Sequence, residues 1–470
     1  MSLLKDAATA AEIIKKHTEA GSLIRVSSHL DADGLTAAGI VGSMLRRLDA
    51  NFTVRIEEQI DEPLVRELAS GEAPLIVFSD FGSGYLDLLE RGLPDRDVVI
   101  LDHHQPIEAP PLPRLAQVNP HLWGFDGGRE ISSSGVAYLV ARAMDASNTD
   151  LACVAVVGAL GDMQDKNRRR ELTSLNREIV HDAVKAGYLQ TETDLIFYGR
   201  ATRPIHRAMA HTTNPFIPGL GGEEDKCFGF LTNLGIEMKR QDRWRTLADL
   251  TVEERQRILS ELARFYPSDL IQSLIGSVYT LTREAQWTPL RDGREYASLL
   301  NACGRMDRAG LGVTIGMGER GGALEEARET SSDYRRRLAE YMGWLDSTPT
   351  AVQRLGRVCV IRGEGVIDEK MLGSVTSILI TSGHLNAGKP IVGLAWAEGE
   401  MVKVSARATS LHLERGLNLG VVMQDSASKF GGRGGGHDVA AGAMLPRGRE
   451  EEFIRLVDRL VGMAIAEPSP

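Results

Sequence analysis

The chain has 470 residues, 43% hydrophobic, 25% charged and 5% aromatic, which is apolar enough for the cores of two or three domains and too apolar for disorder. Its net charge of −10 argues against a protein that coats DNA but leaves room for a nucleic-acid enzyme, where the field in the cleft is what counts. The opening MSLLKDAATAAEIIKKH lacks the apolar core of a signal peptide, no stretch reaches the ~18 apolar residues of a membrane span, and Cys153, Cys227, Cys303 and Cys359 form no CxxC, so a cytoplasmic protein with free thiols is expected.

Short β-branched runs alternate with helical patterns up to about residue 190. SLIRVSS (22–28), NFTVRI (51–56), PLIVFSD (74–80), DVVILDHH (97–104) and LAQVN (115–119) are predicted strands, and the first four are expected to run parallel because they are largely apolar and helical patterns separate most of them. This is a doubly wound α/β pattern, in which ligands gather at the carboxyl ends of the strands. From 191 to about 325 the chain becomes mixed helix and turn, richer in arginine, and the charged segment 323–345 reads as a connecting helix. After Pro349 a smaller α/β unit begins with RVCVIRG, PIVGLAWAEG and MVKVSARAT as strands and ends in KFGGRGGGHDVAAGAML and a terminal helix. Domains are therefore expected at 1–190, 191–348 and 349–470.

Chemistry concentrates where the apolar runs of the first domain end. HLDADG places His29, Asp31 and Asp33 on alternate residues; LIVFSD ends at Asp80, VVILDHH at Asp102, His103 and His104, and VAVVGALGDMQD at Asp162 and Asp165. If each run is a strand of one parallel sheet, all these groups converge on one edge. A lone DxDG is more often a turn or a helix cap, but four such endings in order are not explained by capping. Clustered carboxylates raise one another's pKa unless something positive sits among them. Aspartate oxygens with a few imidazoles and no cysteine suit Mn²⁺ or Mg²⁺ better than structural zinc. Two such ions ~3.5–4 Å apart could activate a water and stabilise both attacking and leaving oxygens at phosphorus.

HLDADG, FSD, LDHHQP and GALGD, in that order, resemble the four motifs of the DHH phosphoesterase superfamily. VSARAT and GGRGGGHDVAAGA are similar to its DHHA1 domain, and LNACGRMDRAG resembles a segment of the RecJ nucleases. The overall size is that of archaeal RecJ-like proteins, including the GINS-associated nucleases. This resemblance implies a DHH catalytic domain (1–190), a helical insert and connector (191–348) and a DHHA1 substrate-binding domain (349–470). By the same resemblance, His29 and Asp31 bind one metal, Asp33 the other, Asp80 bridges, and His103 and Asp162 complete the second site. Asp102 and His104 then orient ligands or serve the scissile phosphate. The metals implied are two divalent cations, Mn²⁺ ahead of Mg²⁺. For Asp165, a helix N-cap is the expected role.

FGGRGGGHD is not a P-loop, because no GK[ST] follows it. Its glycines Gly434, Gly435 and Gly436 are expected to form an amide nest for phosphates, with His437 contacting the scissile phosphate. In RecJ-type enzymes the residues matching Arg305, Ser405 and Arg407 hold a terminal 5′-phosphate, which implies a pocket that measures one end of a strand. KNRRR (166–170), directly after Asp162, is either a solvated face or a strand guide through Lys166, Arg168 and Arg169. KRQDRWR (239–245), with Trp244 between cations, is less telling, and a partner surface is an equal reading.

The function expected is a metal-dependent exonuclease on single-stranded DNA or RNA, running 5′ to 3′ and releasing mononucleotides. The alternatives are a phosphodiesterase of short oligonucleotides or cyclic dinucleotides, and a replisome component docking on GINS.

Overall fold

The computed structural model describes residues 2–108, 113–212, 216–382 and 388–465. The chain divides into two compact units, Met1–Thr212 with Ile217–Ser331, and Ser332–Pro470 with Thr213–Phe216.

The first unit opens with α1 (Leu3–Glu19), β1 (Ile24–His29), α2 (Ala32–Arg47), β2 (Phe52–Glu57), α3 (Glu62–Ser70), β3 (Leu75–Ser79), α4 (Leu86–Gly92), β4 (Asp97–Leu101) and β5 (Leu115–Val118). The strands form one sheet in the order β2-β1-β3-β4-β5, parallel throughout. β3 is buried along its whole length, as a central parallel strand covered on both faces must be. The order reverses between β1 and β3, and in open α/β sheets the crevice for ligands lies at that switch point, outside the carboxyl ends of the strands.

Three helices pack on one face of this sheet: α2, α5 (Ser133–Met144) and α6 (Ala152–Gly161) share one core with β1, β3 and β4. The run ending at Asp162 is thus a helix, not the fourth strand expected of it. Its residues are apolar on every side and almost all buried, and a short apolar run of that kind carries no periodicity to separate strand from helix. Asp162 caps its carboxyl end and still faces the same edge.

The chain continues through α7 (Ser174–Lys185) and β6 (Leu189–Leu195) into a region with its own core. That region holds α8 (Ile205–Ala210), α9 (Glu224–Asn233), the hairpin β7 (Lys239–Arg240) and β8 (Arg243–Trp244), α10 (Val252–Phe265) and α11 (Ser268–Ser273). β9 (Ile275–Leu281) returns antiparallel to β6, and α12 (Gly293–Arg305) and α13 (Ala309–Gly316) pack back on α2. The connecting helix expected at 323–345 is α14 (Gly322–Ser347).

The second unit holds β10 (Val352–Arg354), β11 (Cys359–Arg362), α15 (Glu369–Ser382), β12 (Ile391–Ala397), β13 (Met401–Arg407), α16 (Ser410–Glu414), α17 (Leu419–Ser428), β14 (Arg433–Gly436), β15 (Ala440–Pro446) and α18 (Glu450–Ala464). Its mixed sheet runs β10-β11-β12-β13-β15-β14, with only β11 and β12 parallel. One face of the sheet makes a core with α17 and α18. The four cysteines are free thiols. Among the described residues, no helix is long and apolar enough to cross a membrane.

Candidate active site

The carboxyl ends of β1 and β3 are locked together first. Ser28 Oγ donates to Gly34 O (2.7 Å) and Ser79 O (3.0 Å), and Ser79 Oγ donates to Ser28 Oγ (2.7 Å). The chain then turns sharply into α2. A Cβ on Gly34 would lie 2.3 Å from His29 O, so only glycine fits there. Asp31 caps α2 by accepting from Gly34 N (3.0 Å) through one oxygen, while its other oxygen lies 3.0 Å from His29 Nδ1.

Asp80 follows β3 in the left-handed region (φ 66°), a conformation uncommon for a residue with a side chain and cheapest for Asp or Asn. It is buried, and among the described residues neither of its oxygens accepts a hydrogen bond. Each oxygen instead faces an imidazole, His29 Nδ1 at 3.5 Å and His103 Nε2 at 3.4 Å. Two groups of metal-ligating atoms, His29–Asp31–Asp80 and Asp80–His103–His104, each lie within 4.8 Å of one another and share this one carboxylate. A buried carboxylate left without donors is costly unless a cation compensates it, and this donor set fits a pair of divalent ions joined by Asp80.

The remaining ligands are held from behind. His103 Nδ1 donates to Gly127 O (2.7 Å), which leaves Nε2 for the cluster. Asp102 is fully buried and accepts from Ser83 N (2.9 Å), His103 N (2.8 Å), His104 N (3.1 Å) and His104 Nδ1 (2.8 Å). It therefore shapes the DHH turn and aims His104. Asp33 accepts from Ser133 N (2.7 Å) and Ser134 N (3.0 Å) at the start of α5 and lies 3.9 Å from His103 Nε2. Asp162 stands 3.8 Å from His103 Nδ1.

The charges explain why so many groups tolerate one another. Burial disfavours the charged form of His29, but Asp31 and Asp80 outweigh it and push the imidazole up to about 10. His103 is raised in the same way, against its burial, by Asp162, Asp33 and Asp80. Burial and the charge of Asp80 push Asp33 up to about 7, and burial with the charges of Asp31 and Asp80 raises Asp162. Without a cation the cluster thus holds its protons tightly, and bound divalent ions would displace them.

Three supporting residues were not among the expected site residues. Gln164 Nε2 donates to Asp162 Oδ2 (2.9 Å) and Gly127 O (2.8 Å), and its own carbonyl accepts from Asn176 Nδ2 (2.6 Å). Asn301 Oδ1 accepts from Ala32 N (3.0 Å), pinning the HLDADG loop across 269 residues of sequence. Gly304 lets α12 approach that loop, since a Cβ there would fall 1.7 Å from Leu30 O. An NACGR segment with Asn and Gly at fixed offsets was the available clue. Asp165 is not a helix cap: it is buried and paired with Arg294 (2.5 Å) and Arg170 (3.8 Å). Of the adjacent basic run, Lys166, Arg168 and Arg169 are exposed, and Arg168 donates to Gln272 Oε1 at 2.7 and 2.9 Å.

Arg305 ends α12 in the first unit; the other residues expected to bind substrate belong to the second. Ser405 and Arg407 share one face of β13, where Ser405 Oγ meets Thr376 Oγ1 (3.1 Å) and Arg407 Nε donates to Ser377 Oγ (2.9 Å). The glycine string is not the nest expected of it. Arg433–Gly436 is an extended edge strand, paired antiparallel with β15. A Cβ on Gly434 would come 2.3 Å from Met423 O of α17, whereas one on Gly435 would meet nothing. The glycines therefore let a helix pack closely on one face and leave backbone bare on the other. His437 follows, exposed.

A carboxylate shared by two groups of possible metal ligands thus stands at the switch point of a 2-1-3-4-5 parallel sheet in the first unit. The DHH family N-terminal domain matches residues 23–160, the DHH-CID domain 197–273 and the DHHA1 domain 356–463. The chain is 32% identical over 444 residues to uncharacterized protein MJ0831 of Methanocaldococcus jannaschii, covering 93% of each. It is 28% identical over 190 residues to the single-stranded-DNA-specific exonuclease RecJ of Bacillus subtilis, which is 37% of this chain and 24% of that one. Among solved structures, RecJ of Thermus thermophilus in complex with Mn²⁺ superposes with a TM-score of 0.59 at 20% identity, covering 99% of this chain and 55% of its own. CDC45 of Entamoeba histolytica superposes with a TM-score of 0.64 at 11% identity, covering 97% and 99%. The chain belongs to the DHH phosphoesterase superfamily.

Proposed function

We propose that this protein is a metal-dependent exonuclease that hydrolyses single-stranded DNA or RNA from the 5′ end and releases mononucleotides. The observation that carries this reading is Asp80, buried, without a hydrogen-bond donor on either oxygen, and common to both groups of ligands. His29 and Asp31 would hold one divalent cation, His103 with Asp33 and Asp162 the other, and Mn²⁺ is the ion proposed. Such ions, when bound, supply Lewis acidity at phosphorus and an acidified water. Asp102 orients His104 toward the scissile phosphate, and His437 is proposed to contact that phosphate too. Arg305, Ser405 and Arg407 are assigned to the terminal phosphate, Gly434, Gly435 and Gly436 to close backbone approach, and Lys166, Arg168 and Arg169 to guiding the strand. The likeness to an exonuclease named for single-stranded DNA supports this substrate class.

The test is a time course on one oligonucleotide labelled separately at each end, as DNA and as RNA, with Mn²⁺ or with chelator. Mononucleotide released at once from the 5′ label, only with metal, is the expected result. Cleavage confined to oligomers of two to five residues would replace this reading with the short-oligonucleotide one. A second reading, docking on GINS, draws on the fold shared end to end with CDC45. It predicts strand binding without cleavage.

A further inference from the structure

The DHH-CID region carries a surface that the reading above does not use. The β7–β8 hairpin bears Lys239, Arg240, Arg243 and Trp244, and the loop after β9 bears Trp287; the two indoles are 39% and 50% exposed. Each has a cation on one face, Lys239 Nζ 4.6 Å from the Trp244 ring centre and Arg243 Cζ 4.5 Å from that of Trp287. Arg243 is not loose: Asp249 grips it through both oxygens at 2.9 and 3.1 Å and also accepts from Thr246 N (2.8 Å). Trp287 sits at φ 59°, a backbone conformation that a bulky side chain rarely adopts and that the surroundings must impose. Trp244 is steadied by His206, with ring centres 5.2 Å apart.

Trp287 lines a cavity of about 230 Å³, together with Gln190, Thr280, Gln286 and Arg200. Glu192, Asp249, Arg291 and Asp292 also line it, so carboxylates outnumber guanidiniums; Arg200 pairs with Glu192 (2.8 Å) and with Asp194, Asp249 with Arg243, and Arg291 donates to the carbonyls of Thr282 and Glu284. The neutral amides of Gln190 and Gln286 remain, and both residues are exposed. A cavity with an aromatic wall, neutral amides and more carboxylates than guanidiniums suits an uncharged planar ring that needs edge hydrogen bonds. It suits a phosphate or an acidic side chain less well. Lys239 and Arg240, exposed beside it on a chain of net charge −10, supply the local attraction for a polyanion.

We infer that this cleft binds unpaired bases of the substrate strand, one stacked on Trp287 within the cavity and another on Trp244, with Lys239 and Arg240 at the intervening phosphates. The inference rests on the single-strand reading above and deepens it. Base-on-indole stacking is sequence-tolerant, as an exonuclease that must read every base requires.

The experiment uses the full-length protein in EDTA, so that the strand stays intact, and strands of roughly 20 nucleotides carrying 2-aminopurine at successive positions. Wild-type protein is expected to quench the fluorescence at discrete positions. Trp287→Ala and Trp244→Ala should each restore it at a different position and weaken strand affinity about tenfold, and Trp287→Phe should keep most of both. If Trp287→Ala lowers the melting temperature, the exposed Gln190→Ala carries the same test, with loss of quenching at the Trp287 position. Variants that quench and bind like wild type, while the wild-type protein degrades the strand in Mn²⁺, overturn the inference and leave the nuclease reading standing. That outcome would turn the surface over to a protein partner. A wild-type protein that neither binds nor degrades the strand removes the reading and the inference together.

Discussion

The acidic edge of the first sheet and the bare edge of the second do different physical work. At the first, most side chains of the site are held by something else: Asp33 by two amides, Asp102 by three, His103 by a carbonyl, Asp162 by Gln164. At the second, glycines present backbone, and the side chains of Arg433 and His437 are exposed. Preorganised, buried groups can stabilise charge as it develops in a reaction, because their orientation has already been fixed by folding. An exposed edge of backbone is suited to holding and guiding a strand. Under the proposed function the first edge does the chemistry and the second grips the strand, and each substitution below tests one side of that division.

The largest effect should come from Asp80→Asn, which keeps the tolerance for positive φ and removes the shared charge. Hydrolysis of a labelled strand should fall by about a thousandfold or more. Without metal, the melting temperature should fall, because His29 and His103, held protonated by the surrounding carboxylates, lose the charge they face at 3.5 and 3.4 Å. Substantial residual hydrolysis would reject the shared-ligand assignment of Asp80. Next come Asn301→Ala and Gly304→Ala, which touch no ligand yet support the HLDADG loop. An activity loss of roughly 10- to 100-fold, partly recovered at high Mn²⁺, is expected. A loss confined to affinity for the strand would place NACGR wholly on the grip side.

The sequence made most of the first edge legible because parallel strands end where ligands must start, and the four apolar runs each stop at Asp or His. It misled on the fourth run, since an all-apolar decamer buried on every side has no period to read. Gln164 and Asn301 were not legible: their roles depend on contacts with Gly127 and with Ala32, far away in sequence. The glycine string was found but its shape was misjudged, because glycine permits a nest and an extended edge equally well, and pairing with β15 decided between them. Asp165 looked like a cap until Arg294, from α12, took it into a buried pair.

On the grip side, Arg407→Ala should act through the end of the strand. With the guanidinium gone from its place beside Ser377, the preference for 5′-phosphorylated over 5′-hydroxyl strands should fall about tenfold, with turnover of hydroxyl-ended strands nearly unchanged. Equal loss on both kinds of end would move the terminal-phosphate site elsewhere.

The smallest effect expected belongs to neither edge and bounds how much pH dependence the acidic cluster should be credited with. Glu295, on α12, is buried, and burial with the neighbouring charge of Asp292 pushes its carboxyl up to about 7, against the hydrogen bonds from Thr202 and Ala201 N. The ordinary value is 4.5, so between 4.5 and about 7 the folded chain holds a proton that the unfolded chain has released. Stability from the neutral acid is therefore full below 4.5 and is lost as pH rises through 7. Glu295→Gln mimics the protonated acid, with its carbonyl accepting from Ala201 N and its amide facing Thr202. The variant should melt near wild type at low pH and about 2 °C above it at pH ~8. If the two melting curves stay parallel across that range, the carboxyl is ionised throughout and its neutral form contributes nothing to the pH dependence of stability.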